Sequence, residues 1–497
     1  MRLFNLHAAK LIWLGNKILV YPPQDFDLAD VTREVESWEW KNNMEDIEIM
    51  RRMFGKRGTA AAQQLLARPW FTRRWIIQEV GLAQQATIHC GRASIDARRL
   101  IACAHVLCEV NRLEDSIASV LIRCTLAGLR DLHGHLRAGT IQNILLVEWI
   151  QAFQLSDCSD DRDKVYALMG LLSGPEGFLS TEAQHGSPAL GYKSGVEHVY
   201  QALATHTLEK HQKTGLLCLL RAAAAFPSRD VPGSRIPSWI PDWRAAGRGW
   251  VISSCKSSTR LVGHSPLSGQ PRSKQVDNKS LSIGGWKYST ITSKVSGLSE
   301  HPRPETSTSE AMIHETIWKW WQFYEDNMLN TERGESPAAG RPSVRGQYDP
   351  WRAFLDCATK NCCRTWGSAY EDAFEFLIPT QSSNRPGLKD VELPQSQMTS
   401  EAEKELIYNN LFLVMQRRSL FCDSWGRTVN CPDDTEVGDV VVLLPRGQRP
   451  WILRPAQGFR NSESKIFTFI GDAYVPEVMG RKIFVEKLGD PEWFTIQ

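Results

Sequence analysis

A glutamine and a glutamate stand side by side in an otherwise apolar helical segment, at Gln78 and Glu79. Because a buried amide or carboxylate must find a hydrogen-bonding partner, this pair predicts one of two arrangements. Either it forms a polar pocket with another element, or Glu79 pairs with a remote arginine and locks two elements together. Trp75 shares a helix face with Glu79, and Arg74 shares the adjacent face with Gln78. We favour the structural lock.

A second concentration of charge precedes another apolar segment, where the run Asp160-Asp161-Arg162-Asp163 leads into an amphipathic stretch that ends at Gly170. Carboxylates at a helix N-terminus complement the helix dipole, and each contributes roughly 0.3–1 kcal/mol. Capping accounts for Asp160 and Asp161. It leaves Arg162 or Asp163 to contact a neighbouring domain, although a cap on an amphipathic helix is the interpretation that we favour.

Sequence signatures of common catalytic and cofactor sites do not occur in the chain. A glycine-rich phosphate loop, a Gly-x-Ser-x-Gly elbow and a His-Glu-x-x-His helix are all missing. The 12 cysteines form no Cys-x-x-Cys pair. We therefore predict neither a metal nor a cofactor, and we expect reduced thiols in a cytoplasmic protein. Catalytic residues that are distant in sequence leave no such signature, so an enzyme is disfavoured rather than excluded.

The composition is that of a globular protein with several domains. At about 150 residues per domain, 497 residues indicate roughly three domains. Hydrophobic residues make up 42% of the chain and charged residues 23%, which excludes wholesale disorder. A net charge of +2 lacks the large positive excess that is typical of nucleic-acid-binding proteins. No apolar stretch reaches the ~18 residues of a membrane span, and Lys10 and Lys17 interrupt the apolar run that a signal peptide would need.

Short elements are expected to position the polar residues. Pro69 fits the first turn of a helix that we predict to run to about Leu82. A short strand is predicted at 86–90 and a helix at about 162–172. From residue 417 onwards, several short strands, with turns about every eight to twelve residues, predict a small antiparallel barrel or sandwich.

These elements predict an α+β fold with a large, mainly helical middle. We divide the chain into five segments: 1–100, part of an α/β domain; 101–250, a helical domain; 251–345, a variable Ser/Pro-rich region with short strands and a helix; 346–416, a helical segment with a linker; and 417–497, the β domain.

Four sequence blocks, in this order, resemble the fungal heterokaryon-incompatibility (HET) domain proteins. The first has the family's arginine, aromatic pair, Arg-x-Trp-x-x-Gln-Glu and Cys-Gly, at Arg68, Trp70, Phe71, Arg73, Trp75, Gln78, Glu79, Cys90 and Gly91. The second is the Asp-x-Arg-Asp-Lys-Val-Tyr-Ala-Leu helix, with Asp160, Arg162, Asp163 and Tyr166. The third, Pro-Ser-Trp-x-Pro-Asp-Trp, spans 237–243, and the fourth runs from Gly438-Asp439 through Leu453-Arg454-Pro455 to Gly471-Asp472 and Tyr474-Val475.

The resemblance implies a partial, TIR-like α/β domain at the start of the chain. The family's opening segment, with a Ser-Tyr-x-Trp-Gly-like strand and a Trp-Ile-Asp-x-x-Cys-Ile-Asn-Gln stretch, has no counterpart here. Residues 1–100 would then be the C-terminal part of a HET domain. The physical argument agrees, because two short strands, predicted at 11–14 and 86–90, are too few for an independently stable sheet.

The function that the resemblance implies is fungal non-self recognition and programmed cell death signalling. The expected partners are other proteins of the incompatibility pathway, and self-association is a further expectation. Some TIR domains cleave NAD at a glutamate, so a nucleotidase is the alternative, and an inert, truncated family member is the third hypothesis. Glu79 is the only motif carboxylate in the HET part, and we assign no catalytic residue.

Overall fold

In the computed structural model, the chain divides into two compact units, Met1–Val199 and Tyr200–Gln497. The boundary falls inside the predicted helical domain 101–250. The structure describes residues 68–100 except 84, 91–92 and 98–99; 128–172 except 130, 133, 136–143 and 155; 191–245 except 212–213; 272–295 except 276 and 278; 312–326 except 314 and 325; 415–456 except 446 and 448; 466–475; and 490–497. The strand predicted at 11–14 and nearly all of the predicted segment 346–416 lie outside these residues.

Two short helices replace the single helix predicted over 69–82. Helix α1 spans Pro69–Thr72 and helix α2 spans Trp75–Leu82. Between them, Arg73 is extended and forms a β-bridge with Asp157. The Asp157 N–H donates to Thr72 O at 2.5 Å, and the Asp157 C=O accepts the N–H of Arg74 at 2.8 Å. The helix breaks because this long-range pairing occupies backbone groups that a continuous helix would use.

The described residues of the first unit also include a hairpin and further helices. Among them are β1 (Thr87–Cys90), β2 (Ala93–Asp96), α3 (Leu146–Ala152) and α4 (Asp163–Met169), which a 3₁₀ turn continues over Gly170–Leu172. The predicted strand at 86–90 and the predicted helix at 162–172 are confirmed. Strand β2, which pairs antiparallel with β1, was not predicted. Within the described residues of this unit the hairpin is the only sheet, and the TIR-like arrangement stays a prediction.

The second unit combines helices with an eight-stranded sheet. Helix α5 (Val196–Lys210) carries the chain from the first unit into the second, and α6 (Gly215–Ala225) follows it. The strands are β3 (Arg272–Gln275), β4 (Leu281–Lys294), β5 (Arg418–Asp423), β6 (Thr428–Pro432), β7 (Val440–Leu443), β8 (Trp451–Pro455), β9 (Ile466–Asp472) and β10 (Glu492–Ile496). Helices and a sheet together confirm the α+β class.

The long strand β4 closes the sheet on itself. Its first part pairs with β10, its middle with β7 and its last part with β5. Since β7, β8, β9 and β10 are hydrogen-bonded in that order, these four strands and β4 form a closed ring, which leaves no open edge within it. The pair β9–β10 is parallel and the other pairs are antiparallel. The sheet is therefore mixed, and the prediction of a purely antiparallel barrel or sandwich is wrong in this respect.

Strand β4 lies far from the other strands in sequence, inside the segment that we assigned to the variable region 251–345. Irregular register at Lys287/Ser289 and at Ile291/Ser293 lets it change partners along its length. A Cβ atom at Gly285 would lie 2.6 Å from Leu443 O, so glycine allows β4 and β7 to approach closely here. The β domain is consequently not confined to 417–497.

A buried apolar cluster joins strands of the ring to β5 and β6. It consists of Trp286, Tyr288, Ile291, Phe421, Val429, Cys431, Val441, Leu443, Ile452, Ile470, Ala473 and Val475. On β10 the alternation is sharp, because Phe494 is 2% exposed and its neighbour Trp493 is 53% exposed. Adjacent strand residues point to opposite faces, so Phe494 packs edge-on against Phe467, with ring centroids 5.5 Å apart, while Trp493 faces solvent.

We predict that Phe494→Ala lowers the free energy of unfolding of the second unit by roughly 3–5 kcal/mol, because the substitution removes a buried ring. Trp493→Ala, on the outer face of the same strand, is the matched control and should cost less than about 1 kcal/mol. Urea denaturation followed by circular dichroism measures both. Equal losses for the two variants would show that β10 does not close the ring in this register.

Candidate functional site

The first two motif blocks meet where α2 packs against the start of α4. The indole Nε1–H of Trp75 donates to Asp163 Oδ2 at 3.0 Å. Asp163 is the first residue of α4 and is 8% exposed, so its charge is largely removed from water. Two residues that are 88 positions apart are thus joined by a charge-assisted hydrogen bond.

The second oxygen of the same carboxylate binds a tyrosine that we had not singled out. The Tyr192 hydroxyl donates to Asp163 Oδ1 at 2.5 Å. This hydrogen bond, with some burial, raises the pKa of Tyr192 to about 12, because the carboxylate favours the protonated phenol. Both oxygens of Asp163 therefore have a donor. No local sequence signal identifies Tyr192, since it lies 29 residues away in a polar loop.

Arg162 connects the acidic run to that same loop. Its guanidinium forms a two-point ion pair with Asp160, at 2.8 Å from Nε and 2.6 Å from Nη2. These hydrogen bonds lower the pKa of Asp160. The remaining nitrogen, Nη1, donates to Ser194 O at 2.9 Å and also to Tyr192 O. Arg162 thus contacts a segment of its own unit, whereas the sequence analysis allowed for a contact of this residue or Asp163 with a neighbouring domain.

The predicted cap of α4 differs in detail from the observed one. The residue at the cap position is Arg162, whose side chain makes no capping hydrogen bond. Asp160 Oδ1 instead accepts the backbone N–H of Arg162 at 3.0 Å, one residue before the helix. Asp160 therefore orders the turn that leads into α4, and Asp163 supplies the negative charge in the first turn.

A buried arginine completes the interlock between the two blocks. Arg74 is fully buried, and its Nη2 donates to Lys164 O at 2.6 Å while its Nη1 donates to Phe153 O. The sequence analysis placed Arg74 beside Gln78 without predicting its burial. An arginine on the same helix face as a core-facing amide was the signal that could have indicated it.

Gln78 and Glu79, the pair with which the sequence analysis began, have different surroundings. The Gln78 amide packs against Gly170. A Cβ atom added at Gly170 would lie 2.0 Å from Gln78 Nε2 and 2.7 Å from Gln78 Cδ. Glu79 is half-buried, and within the described part of the chain it forms no ion pair with an arginine. A lock between two elements exists, but Arg74 and Trp75 form it rather than Glu79.

The remaining candidates of the first two blocks lie around this interlock. Arg68 and Arg73 are exposed, Phe71 is buried, and Trp70 packs edge-on against Phe71 with ring centroids 4.9 Å apart. Tyr166 donates its hydroxyl to Gly191 O at 3.3 Å. Cys90 is half-buried at the end of β1, and Gly91 lies outside the described residues.

The third block ties the helices of the second unit to its sheet. The Ser238 hydroxyl accepts the N–H of Phe469 at 2.8 Å and donates to Gln497 O. Trp239 is fully buried and donates its indole N–H to Lys279 O at 3.0 Å. Asp242 is fully buried and pairs with Arg244 at 2.7 Å. The block therefore serves packing.

The fourth block contributes two aspartates that form three ion pairs at strand ends. Asp439, 2% exposed, accepts Arg454 Nε at 3.0 Å. Asp472 bonds Arg418 at 2.8 Å and Arg449 at 2.7 Å. Gly438 has φ +99°, a conformation that favours glycine. A Cβ atom added at Gly471 would lie 2.8 Å from the ring of Pro432. Gly438-Asp439 is a turn that precedes β7, as predicted, whereas Gly471-Asp472 forms the last two residues of β9, and both aspartates fasten neighbouring strands.

A buried carboxylate that the sequence did not indicate orders the exposed turn after β5. Asp423 is 2% exposed, and its Oδ1 accepts the backbone N–H groups of Trp425 and Arg427, both at 2.9 Å. Burial raises the pKa of Asp423 above the ordinary aspartate value. Trp425, at the tip of this turn, is 49% exposed and donates its indole N–H to Tyr288 O at 2.8 Å.

The chemistry that this arrangement supports is structural hydrogen bonding. No group of three or more His, Cys, Asp or Glu side chains in the described residues could hold a metal ion. Among the helices that the structure describes, none is long and apolar enough to cross a bilayer. The motif carboxylates Asp160, Asp163, Asp439 and Asp472 all bind donors of the same chain.

Comparison of the chain with protein-family models, with curated proteins and with solved structures finds no match.

We predict that Trp75→Phe lowers the free energy of unfolding by roughly 1–2 kcal/mol, because it removes the N–H that bonds the buried carboxylate. Trp149→Phe is the matched control, since the described residues offer the buried Trp149 N–H no hydrogen-bond partner. Its loss should be smaller. Each variant is measured by chemical denaturation, alone and together with Asp163→Asn, which gives its coupling energy with Asp163. A coupling near zero between Trp75 and Asp163 would contradict the hydrogen bond.

The raised pKa of Asp423 predicts a pH dependence of stability. In the unfolded chain this carboxyl loses its proton near pH 3.9, whereas the folded protein holds it to higher pH. Folding is therefore penalised as pH rises through the interval between the two pKa values, and the penalty is constant above it. Asp423→Asn keeps the Oδ1 acceptor without the charge, so it should melt at a higher temperature than the wild type at neutral pH.

The difference in melting temperature should shrink as the pH falls towards 3.5. A difference that stays constant between pH 7 and pH 3.5 would show that the ionisation of Asp423 is not coupled to folding. Asp490→Asn, at an exposed carboxylate in the same unit, controls for a general effect of removing one negative charge.

Proposed function

We propose that this chain is a signalling protein of the HET type, which acts through protein–protein contacts in the non-self recognition and programmed cell death of filamentous fungi. The proposal rests on four sequence blocks in the family's order. The interlock of the first two blocks supports it, because Trp75 and Asp163 come together although they are distant in sequence.

The observation that carries a binding role is the use of the motif residues. Their carboxylates are occupied by Trp75, Tyr192 and Arg162 of the same chain, which suits a scaffold better than a reactive site. Large aromatic side chains stand exposed elsewhere, with Trp425 and Trp493 at 49% and 53%, and the ring of Tyr192 is itself 55% exposed. Exposed, preorganised Trp and Tyr side chains are typical anchors of protein–protein contacts.

The test is inducible expression of the full chain in a filamentous fungus. We expect growth arrest or cell death on induction. Trp493→Ala should reduce the arrest at unchanged protein level, because its stability is expected to be near that of the wild type. Lys287→Ala, at an exposed aliphatic cation on the same sheet, is the matched control and should retain full arrest. Normal growth with abundant, folded wild-type protein would favour an inert family member.

The alternative, a TIR-like NAD nucleotidase, is tested on the purified chain. The protein is incubated with NAD, and nicotinamide release is followed by chromatography. We expect no release above the buffer rate. Turnover that is lost in Glu79→Ala and in Glu79→Gln would replace our proposal with the nucleotidase, since Glu79 is half-buried and makes no ion pair among the described residues.

A further inference from the structure

One short segment of the first unit is held almost entirely by side chains of the second motif block. We call residues 191–194 the strap. Its carbonyl groups at positions 191, 192 and 194 accept hydrogen bonds from Tyr166 and Arg162. The hydroxyl of its tyrosine, Tyr192, donates to Asp163. Arg162, Asp163 and Tyr166, at the start of α4, therefore bind three of the four peptide carbonyls of the strap and the hydroxyl of Tyr192.

The strap is attached by polar contacts rather than by burial. Tyr192 is 55% exposed, and Lys193 is also exposed. The ring of Tyr192 packs edge-on against the ring of Tyr166, with centroids 5.4 Å apart. The guanidinium carbon of Arg162 lies 5.3 Å from the centroid of the Tyr192 ring. Exposed hydrogen bonds compete with water and contribute little each, so such a segment can detach locally without loss of the core.

Gly191, at the start of the strap, has no steric reason to be glycine. A Cβ atom added there would meet no atom within 4 Å. Its φ is not among the positive values found for glycines of the described chain. The remaining effect of glycine is backbone freedom, which lowers the cost of leaving the bound conformation. This residue therefore has the property of a hinge.

The other end of the strap is the start of α5. The Ser194 N–H closes a turn on Gly191 O at 2.9 Å, and the carbonyl of Gly195 accepts the first helical hydrogen bond, from Val199 at 3.1 Å. Gly195 also has open space around it, but glycine is a favourable residue at a helix cap. Movement of the strap would thus act directly on the first turn of the helix that joins the two units.

We propose that the strap is a releasable latch, clamped by Arg162, Asp163 and Tyr166 and hinged at Gly191, whose opening loosens the first turn of α5. In the closed state the strap occupies one oxygen of Asp163 and one nitrogen of Arg162. In the open state both groups face water while Trp75 still bonds Asp163. The latch is a regulatory device in the fold and stands independently of the proposed signalling role.

The test measures local opening of the purified full-length chain. Tryptic cleavage after Lys193 requires an open strap, and its rate is followed by mass spectrometry of the peptide that ends there. Hydrogen exchange of peptides covering 191–200 reports the same opening without protease. Tyr192→Phe keeps the ring and removes the bond to Asp163, so cleavage and exchange should both accelerate about tenfold.

Gly191→Ala supplies the opposite expectation. Because alanine fits without a clash and restricts the open chain, cleavage and exchange should slow about two- to fivefold. Peptides from β7 and α6 are the internal control and should exchange at the wild-type rate in both variants. If Tyr192→Phe failed to fold, hydrogen exchange would accelerate in every peptide. Gly191→Ala would then test the hinge alone, once its melting temperature shows that it is folded.

Three results would overturn the latch. Tyr192→Phe could leave exchange at 191–200 unchanged, or accelerate α2 and α4 equally, which would mean that the whole unit opens together. Gly191→Ala could accelerate opening, which would mean that the folded state requires glycine. No cell or partner enters these measurements, so they succeed or fail separately from the growth assay.

Discussion

The first unit depends on one buried carboxylate that must be supplied with hydrogen bonds. Asp163 begins α4 at 8% exposure, where an unpaired charge would be costly. Trp75 supplies one oxygen and Tyr192 the other. Because a bare buried acceptor costs more than a single hydrogen bond contributes, α2 and α4 are stable only in the register that keeps Trp75 on Asp163, whereas water can take the place of the exposed Tyr192 hydroxyl.

Buried arginines follow the same constraint with the opposite charge. Arg74 is fully buried and directs two nitrogens to carbonyl oxygens, which fixes α2 against the residues around it. In the second unit Arg418, at 5% exposure, binds Asn430 and Asp472 and thereby joins strand ends. In both units the buried charged side chains find their partners within the same unit, so their spacing in the sequence reflects assembly of the fold.

Sequence reasoning succeeded where local periodicity decides and failed where distant residues decide. The helix at 162–172 and the strand at 86–90 follow from local pattern. The break at Arg73 depends on a bridge to Asp157, and the place of β4 depends on partners more than 100 residues later, neither of which a local pattern contains. At the site, the lock was expected from Glu79, because the sequence does not show which polar residue of a helix faces the neighbouring element.

The two donors of Asp163 also explain why one motif can be both rigid and releasable. Trp75 belongs to a helix that is anchored by Arg74 and by the buried side chains of α2, so its N–H cannot leave without disturbing the core. Tyr192 belongs to an exposed turn, and water can replace its hydroxyl at Oδ1 at little cost. A carboxylate held on one side by the core and on the other by an exchangeable donor keeps its position when the strap departs. The interlock of α2 and α4 therefore does not depend on the state of the strap, which confines the consequences of opening to the first turn of α5.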